Sequence, residues 1–489
     1  MDKLMNEINA VLEASYAAFQ QYKKVAGADK SFFLEAIASE VESLGQPLIT
    51  TAMEETNLPE ARLVGERGRT CNQLRQFAAL VKEGSWVDAS IDTAIPDRAP
   101  LPKPDIRKMM VPLGPVVVFG ASNFPFAYST AGVDTCSALA AGCSVVLKAH
   151  PAHPKTSAMV AHAIEMAVEK TGMPKDVFMH VQDSSFEAGK ALVQHPITKA
   201  VGFTGSFSGG KALYDYATQR QEPIPVFAEM GSINPVFILP EAMKVRGDKI
   251  AEMYAASITQ GVGQFCTNPG LLLSVENPAL KNFETQLAER MKAIAPGTML
   301  HSGIANSFVK NRAKALEQKG VVLLAESVEK PKENQAASTL ATVKASEFIH
   351  NHQLVEEVFG PYSLLVTAST IGELKTAAAK IPGQLTATII GEEADLIAFA
   401  DFVDLVIEKA GRVIINGVPT GVEVCPSMHH GGPFPATTDS RFTSVGIDAI
   451  KRFVRPVSFQ NFPQQLLPAE LKDNNPLGIW RLVNNKFEK

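Results

Sequence analysis

Cys266 lies in the segment Gly263-Gln-Phe-Cys-Thr-Asn-Pro269, and thirty-seven positions earlier Glu229 lies in Phe227-Ala-Glu-Met-Gly-Ser-Ile-Asn-Pro235. A thiol can attack a carbonyl carbon and hold it as a thioester, and a carboxylate can then activate the water that releases it. Covalent redox chemistry is the leading expectation. The ordinary fate of a free cysteine is that of a small buried hydrophobe, which suits Cys136 and Cys143 in their Ala-rich surroundings. Cys266 differs because Gly261, Gly263, Asn268 and Pro269 frame it in a loop. With an unperturbed pKa of about 8.5 it needs a neighbouring base, cation or helix terminus to react. Glu229 has no basic neighbour in sequence, and its ordinary role would be a solvated or salt-bridged carboxylate. Asn123, in Phe119-Gly-Ala-Ser-Asn-Phe-Pro-Phe126, supplies either a simple turn or an amide that stabilises an oxyanion, the loss of which typically costs about a hundred- to a thousand-fold in turnover.

These residues need elements to hold them. The first eighty or so residues read as helices, with a start at Asp29-Lys-Ser, a stop at Gly45 and a polar-faced stretch from Glu60 to about Lys82. Between Trp86 and Pro115, Pro96, Pro100, Pro102 and Pro104 break the pattern into an extended arm or hairpin. From Gly114, Val-rich runs alternate with helical segments: VVVFG, SVVLKA, VFMHV, AVGFTG and PVFAEM, then NPVFIL, GLLLSV, GVVLLA, SLLVTA, LTATII and GRVIING. This alternation predicts parallel sheets wrapped by helices, as two α/β units in tandem with Glu229 near their junction and Cys266 early in the second. The tail containing SFQNFPQQLLP is too rich in Pro and isolated apolar residues to be a core element, and is expected to lie along another surface.

Two turns could hold a dinucleotide. Gly205-Ser-Phe-Ser-Gly-Gly210 follows a strand and opens a helix, where a pyrophosphate meets backbone N–H groups. It lacks the G-x-G-x-x-G spacing and is equally readable as a plain strand-to-helix turn. Lys148 ends SVVLK, at the strand end where ligands bind in a doubly wound sheet; a solvated lysine is the bland alternative.

Composition bounds the rest. A chain of 489 residues, 46% apolar and 20% charged, suits two to three soluble globular domains. A net charge of −5 without dense Lys/Arg runs argues against nucleic-acid or membrane partners, so small molecules are expected. Five cysteines form no C-x-x-C pair and no zinc-type Cys/His spacing, so reduced thiols, no metal and a cytoplasmic location are expected. The N-terminus is amphipathic and unlike a secretory signal, and no apolar run reaches the ~20 residues of a membrane span.

Asn123-Phe-Pro, VVLK ending at Lys148, FTGS with Gly210, Glu229-Met-Gly, GQFCT around Cys266 and Glu357-Val-Phe-Gly-Pro361 occur in the order and approximate separations of the aldehyde dehydrogenase superfamily, which the chain resembles from about 20 to 460. The resemblance implies two tandem Rossmann-like parallel-sheet α/β domains plus an extended oligomerisation arm. The implied boundaries are 1–87 and 111–235 for NAD(P) binding, 88–110 for the arm, 236–425 for the catalytic domain, and 426–489 for a segment returning to the cofactor domain and the oligomer interface. Cys266 becomes the nucleophile, Glu229 the base that activates the deacylating water, and Asn123 the oxyanion donor. Lys148 and Glu357 would hold the two ribose ends, Phe359 would pack near the nicotinamide, and Gly205, Ser206 and Gly210 would line the phosphate turn. A homodimer or homotetramer is implied.

Stretches such as EETNLPEARLVGERGRT, KAHPAHPKTS and HHGGPFPATTDSRFTSVG are similar to the branch acting on α-ketoglutaric semialdehyde, and a related branch acts on long-chain fatty aldehydes with NADP. Arg67, Arg69 and Arg75 are candidates to bind a distal carboxylate, with surface ion pairing as the alternative, whereas Phe124, Phe126, Phe265 and Phe434 could line an apolar tunnel. Pro151 stands where NAD-preferring members carry a ribose-binding glutamate, so NADP is expected to be used at least as well as NAD. The rivals are a coenzyme A-acylating dehydrogenase and a catalytically silent protein on the same fold.

Overall fold

The computed structural model describes residues 2–489, opening with four helices, Asp2–Tyr22, Gly27–Ser43, Gly45–Thr56 and Glu60–Glu83. The second starts two residues before the expected Asp29, because Gly27 rides against the fourth helix: a Cβ there would lie 2.3 Å from the Val81 carbonyl oxygen. The stop expected at Gly45 is there: the second helix ends at Ser43, and Gly45, with φ +57°, turns the chain directly into the third helix. The fourth helix ends at Gly84, whose φ of +90° turns the chain out.

All eleven Val-rich runs contain strands. The first sheet is wholly parallel, in the spatial order Phe178–Val181, Val145–Lys148, Val116–Phe119, Ala200–Thr204, Val226–Glu229. Successive strands are added outward on one side of Val116–Phe119 and then on the other, beginning with Ala200–Thr204, and a crevice opens at the carboxyl ends of strands flanking such a switch point. Asn123 and Gly205 follow those two strands, and Lys148 ends the neighbouring one. The strands are buried on both faces, which explains their unbroken apolar character.

The second sheet has seven strands, in the order Val322–Glu326, Thr339–Lys344, Tyr362–Ala368, Leu271–Val275, Val236–Ile238, Gln384–Ile390, Ala410–Ile415. Only the edge strand Val322–Glu326 runs antiparallel. Thr339–Lys344 escapes sequence reading because TLATVK lacks a Val/Ile/Leu run, although four of its six residues are buried.

The Pro-broken segment contributes strands Ser90–Asp92 and Ile106–Pro112 to a third sheet. The tail completes it: SFQ ends a strand that is no core element on its own and lies along the Pro-broken segment. Val454–Gln460 pairs antiparallel with Ile106–Pro112 from Val454↔Pro112 to Gln460↔Ile106. Pro456 is tolerated because this is an edge strand, with one row of backbone groups needing no ladder partner. Arg481–Val483 and Lys486–Glu488 form the opposite edge.

Candidate active site

Three consecutive left-handed residues set the cysteine loop. After helix Pro240–Thr259, Gly261, Val262 and Gly263 have φ of +54°, +58° and +64°. A β-branched residue there costs about 1–3 kcal/mol of strain, which the surroundings must hold. Gly263 is required for space as well as φ, since a Cβ would lie 2.2 Å from the Gly360 carbonyl oxygen. The Asn234 amide donates to the carbonyls of Cys266 and Asn268, both at 2.9 Å. Asn234 is itself held by Gln384, whose Oε1 accepts from the Ser232 hydroxyl and from the backbone N–H groups of Ile233 and Asn234. The loop is thereby tied to a central strand of the second sheet.

Glu229 ends the last strand of the first sheet, 3% exposed, and the structure brings to it two groups that sequence reading missed. His430 Nε2 lies 3.1 Å from Glu229 Oε1 and 3.5 Å from Cys266 Sγ, and Ser444 donates its hydroxyl to Glu229 Oε2. The segment carrying them runs beside Val226–Glu229: Met230 N–H donates to Ala436 at 2.8 Å and Thr438 N–H to Ala228 at 3.1 Å. His430 sits some two hundred residues from Glu229 in sequence, and no local pattern marks it. The only available signal was a His-His-Gly-Gly run too apolar in context for solvated histidines.

Electrostatics follow from burial. Desolvation raises the Cys266 thiol well above its ordinary pKa, and the Glu229 carboxylate raises it further, so the resting sulfur keeps its proton. Burial also pushes Glu229 upward, but His430, Ser444 and Cys266 together bring it below the usual carboxylate value, leaving it charged and able to take a proton. Proton transfer from sulfur therefore has acceptors in place.

Asn123 lies on the loop after Val116–Phe119, its amide donating to the Gln264 carbonyl at 3.3 Å, two residues before the cysteine. Glu66 anchors this loop by accepting from the N–H groups of Phe126 (2.8 Å) and Ala127 (3.0 Å). Arg62 stands at the same place. Its Nη2 donates to the Asn123 carbonyl at 2.6 Å, and its guanidinium lies 5.0 Å from the Phe124 ring centroid and 4.7 Å from that of Phe265. Its Nη1 is buried with no hydrogen-bond partner, and desolvation lowers its pKa.

Of the arginines singled out from sequence, Arg75 makes a two-pronged surface pair with Glu42 and Arg67 donates to the Gly45 carbonyl. Arg69 faces inward over Tyr128, 5.7 Å from its ring centroid. The four phenylalanines also divide: Phe124 and Phe265 meet edge to face at 5.8 Å, Phe126 is a core residue, and Phe434 is 57% exposed against Phe207.

The cofactor candidates lie at two places, the carboxyl ends of the first sheet's strands and a cleft beside the second sheet. Ser206 caps helix Phe207–Thr218 by accepting from Gly209 N–H, leaving other N–H groups of the first turn facing out. Gly205 and Gly210 also have local reasons to be glycine, since Cβ atoms there would approach Phe203 (2.6 Å) and Met230 (2.7 Å). Glu357 and Phe359 line a cleft with Ser232 and Gly360. Glu357 has no cation beside it, desolvation pushes its pKa up to about 8, and Gly231 leaves room for it, since a Cβ there would lie 2.5 Å from Glu357 Oε2. Lys148 is 8% exposed and feels Asp183. A helix N-terminus and a buried amine are groups that a pyrophosphate and a ribose can use, and the Glu357 carboxyl, held protonated by burial, can both donate to and accept from ribose hydroxyls, so these residues fit a dinucleotide. One acid arrives unannounced: Glu55 accepts from the N–H groups of Lys155 (2.9 Å) and Thr156 (2.8 Å), at the head of the helix that follows Lys148.

Cys266, Glu229 and His430 meet where the last strand of the first sheet adjoins the cysteine loop, an arrangement suited to covalent oxidation of an aldehyde. The profile of the aldehyde dehydrogenase family matches residues 3–442, and the chain belongs to that family. It is 49% identical over 482 residues to α-ketoglutaric semialdehyde dehydrogenase 2 of Azospirillum brasilense, covering 99% of this chain and 92% of that one. It is 47% identical over 481 residues to α-ketoglutaric semialdehyde dehydrogenase of Acinetobacter baylyi, covering 98% and 91%. Among solved structures, a betaine aldehyde dehydrogenase of Staphylococcus aureus in complex with NAD+ superposes with a TM-score of 0.78 over 94% of this chain and 90% of that one, at 19% identity, which speaks for the fold. The protein is an NAD(P)-dependent dehydrogenase that oxidises an aldehyde to a carboxylic acid. Among the described residues, no helix is long and apolar enough to cross a membrane.

Proposed function

We propose that the substrate is α-ketoglutaric semialdehyde and the product α-ketoglutarate. The observation that carries this reading is Arg62, a cation beside the cysteine loop whose Nη1 is buried without a partner. A keto-acid semialdehyde has a distal carboxylate to offer such a group, and an alkyl aldehyde has none. Phe126 is a core residue and Phe434 is exposed against Phe207, so only Phe124 and Phe265 of the four meet each other, which weakens the case for an apolar tunnel. The names of the two relatives near half identity agree with this assignment. The test compares kcat/KM for α-ketoglutaric semialdehyde with that for a long alkyl aldehyde; a larger value for the alkyl substrate overturns the proposal.

In the mechanism we infer, the Cys266 sulfur loses its proton by way of His430 and Glu229, which pass it to solvent, and attacks the aldehyde carbon. The Asn123 amide and the Cys266 N–H receive the developing oxyanion. A nicotinamide cofactor, when bound, would supply the hydride acceptor that turns the thiohemiacetal into a thioester. Lys148, Glu357, Phe359, Gly205, Ser206 and Gly210 would hold that cofactor. Glu229 then takes a proton from water, which releases the acid from sulfur, while His430 and Ser444 fix the carboxylate's position. Water as acceptor, in place of coenzyme A, follows from a charged carboxylate within reach of the thioester.

NADP is used at least as well as NAD in this reading. Pro151 removes one acid from the turn, and both oxygens of Glu55 are engaged by N–H groups of the helix terminus, which offsets its charge. A kcat/KM for NAD ten times that for NADP or more would defeat it. The protein works in the cytoplasm as a homodimer or homotetramer. Five cysteines without a disulfide among the described residues suit a reducing compartment, and the third sheet has open edges flanked by Phe487 (77% exposed) and Leu466 (70% exposed).

A further inference from the structure

The groups that converge on the reacting carbon are also a set of metal ligands. Cys266, His430 and Glu229 place a thiol, an imidazole nitrogen and a carboxylate oxygen within 4.8 Å of one another. Zinc binds thiolate sulfur at about 2.3 Å, imidazole nitrogen at about 2.0–2.1 Å and carboxylate oxygen at about 2.0–2.2 Å, in tetrahedral arrangement. Those lengths and the tetrahedral angle give ligand-to-ligand edges of roughly 3.5 Å for S···N and roughly 3.3 Å for N···O. The structure has 3.5 Å between Cys266 Sγ and His430 Nε2, and 3.1 Å between His430 Nε2 and Glu229 Oε1. Two edges of the coordination polyhedron exist before any ion arrives.

We propose that Glu229, Cys266 and His430 form a reversible inhibitory site for a divalent late transition metal, zinc above all. Three protein ligands and one open position match the ligand count of catalytic zinc sites, and the mix of one soft and two harder donors selects zinc over magnesium or calcium. On binding, one metal–sulfur, one metal–nitrogen and one metal–oxygen bond form. The thiol proton leaves to solvent, water fills the fourth position, and nothing is oxidised or reduced. The bound sulfur no longer has its lone pair free for an aldehyde, so oxidation stops while the dinucleotide crevice stays intact.

The surrounding contacts limit the affinity. Ser444 donates to the second oxygen of Glu229 and steadies the carboxylate. His430 Nδ1, which would carry the ring proton once Nε2 binds metal, is buried with no partner. An absent outer partner on a ligating histidine typically costs about 10–100-fold in metal affinity. The site is therefore a regulatory or adventitious-metal trap that chelators empty, and its ligands come from three distant segments, which is why Cys/His spacing in the sequence gives no hint of it.

The test uses the full-length protein with Cys425→Ser, which removes the other cysteine that is not fully buried. Cobalt(II) is titrated as the spectroscopic probe and zinc chloride as the competitor, with NADP binding measured in parallel as the check on folding. One cobalt per chain should bind with a thiolate-to-cobalt charge-transfer band and four-coordinate d–d bands. Cys266→Ala, or alkylation of the unsubstituted Cys266, should abolish the charge-transfer band. His430→Gln and Glu229→Gln should each weaken binding at least tenfold. Zinc should displace cobalt, stop aldehyde oxidation without loosening NADP, and be reversed by a chelator. Cobalt binding without the thiolate band, or with His430→Gln and Glu229→Gln within twofold of the parent, would overturn the site.

Discussion

Replacing Arg62 with leucine separates recognition of a distal carboxylate from everything else the arginine does. Arg62 has two jobs: Nη2 holds the Asn123 carbonyl at 2.6 Å, while Nη1 has no partner. Leucine keeps apolar bulk between Phe124 and Phe265 but loses both donors. Losing the grip on Asn123 slows every aldehyde equally, because each one needs the same oxyanion donor. Losing Nη1 affects only a substrate that carries an anion. A hydrogen bond to a charged group contributes about 1.5–3 kcal/mol, and about 1.4 kcal/mol is a tenfold change. The ratio of kcat/KM for α-ketoglutaric semialdehyde to that for a neutral aldehyde should therefore fall about 10- to 140-fold. The assay follows reduced cofactor in initial rates for both aldehydes in both proteins. Arg62→Lys, which keeps the charge but not the fork, should recover part of the ratio. An unchanged ratio in Arg62→Leu, with both substrates slowed alike, would refute the reasoning and leave Arg62 as a support for Asn123 alone.

Cys266→Ala should abolish oxidation while cofactor binding stays near wild type; residual turnover above about 1% would remove it as nucleophile. Glu229→Gln should show a burst of reduced cofactor followed by slow turnover, and a linear trace at the wild-type rate would count against it. Glu55→Gln should raise kcat/KM for NADP relative to NAD, since it removes a carboxylate beside the turn after Lys148; no change in the ratio would place the adenosine ribose elsewhere. Burial raises the Glu357 pKa to about 8 from 4.5, so the folded protein holds a proton there that the unfolded chain releases across that interval. Its contribution to stability is complete below about 4.5 and lost as pH rises through about 8. The melting temperature of the cofactor-free protein should fall over that window more steeply than that of Glu357→Gln, and parallel curves would contradict the raised pKa.

Much of this protein is determined locally. Buried parallel strands demand unbroken Val, Ile and Leu, so the runs ending at Lys148, Thr204 and Glu229 announced their sheet and the crevice at its carboxyl end. Cys266, Glu229 and Asn123 stood out because each sits just past a regular element, with turn residues around it. Tertiary structure alone decided what surrounds them. His430 and Ser444 reach Glu229 only because residues after 430 run beside the last strand of the first sheet, a pairing two hundred residues distant that no periodicity encodes. Arg62 and Glu66 lay on a helix whose polar residues read as a solvated face, yet they point into the core because the loop carrying Asn123 needs its N–H groups and carbonyl satisfied there. The tail strand Val454–Gln460 finds its partner three hundred and more residues earlier. Local sequence specifies which atoms can react; which charges meet them, and hence when the thiol ionises and what the substrate's far end touches, depends on burial and long-range hydrogen bonds that exist only in the folded chain.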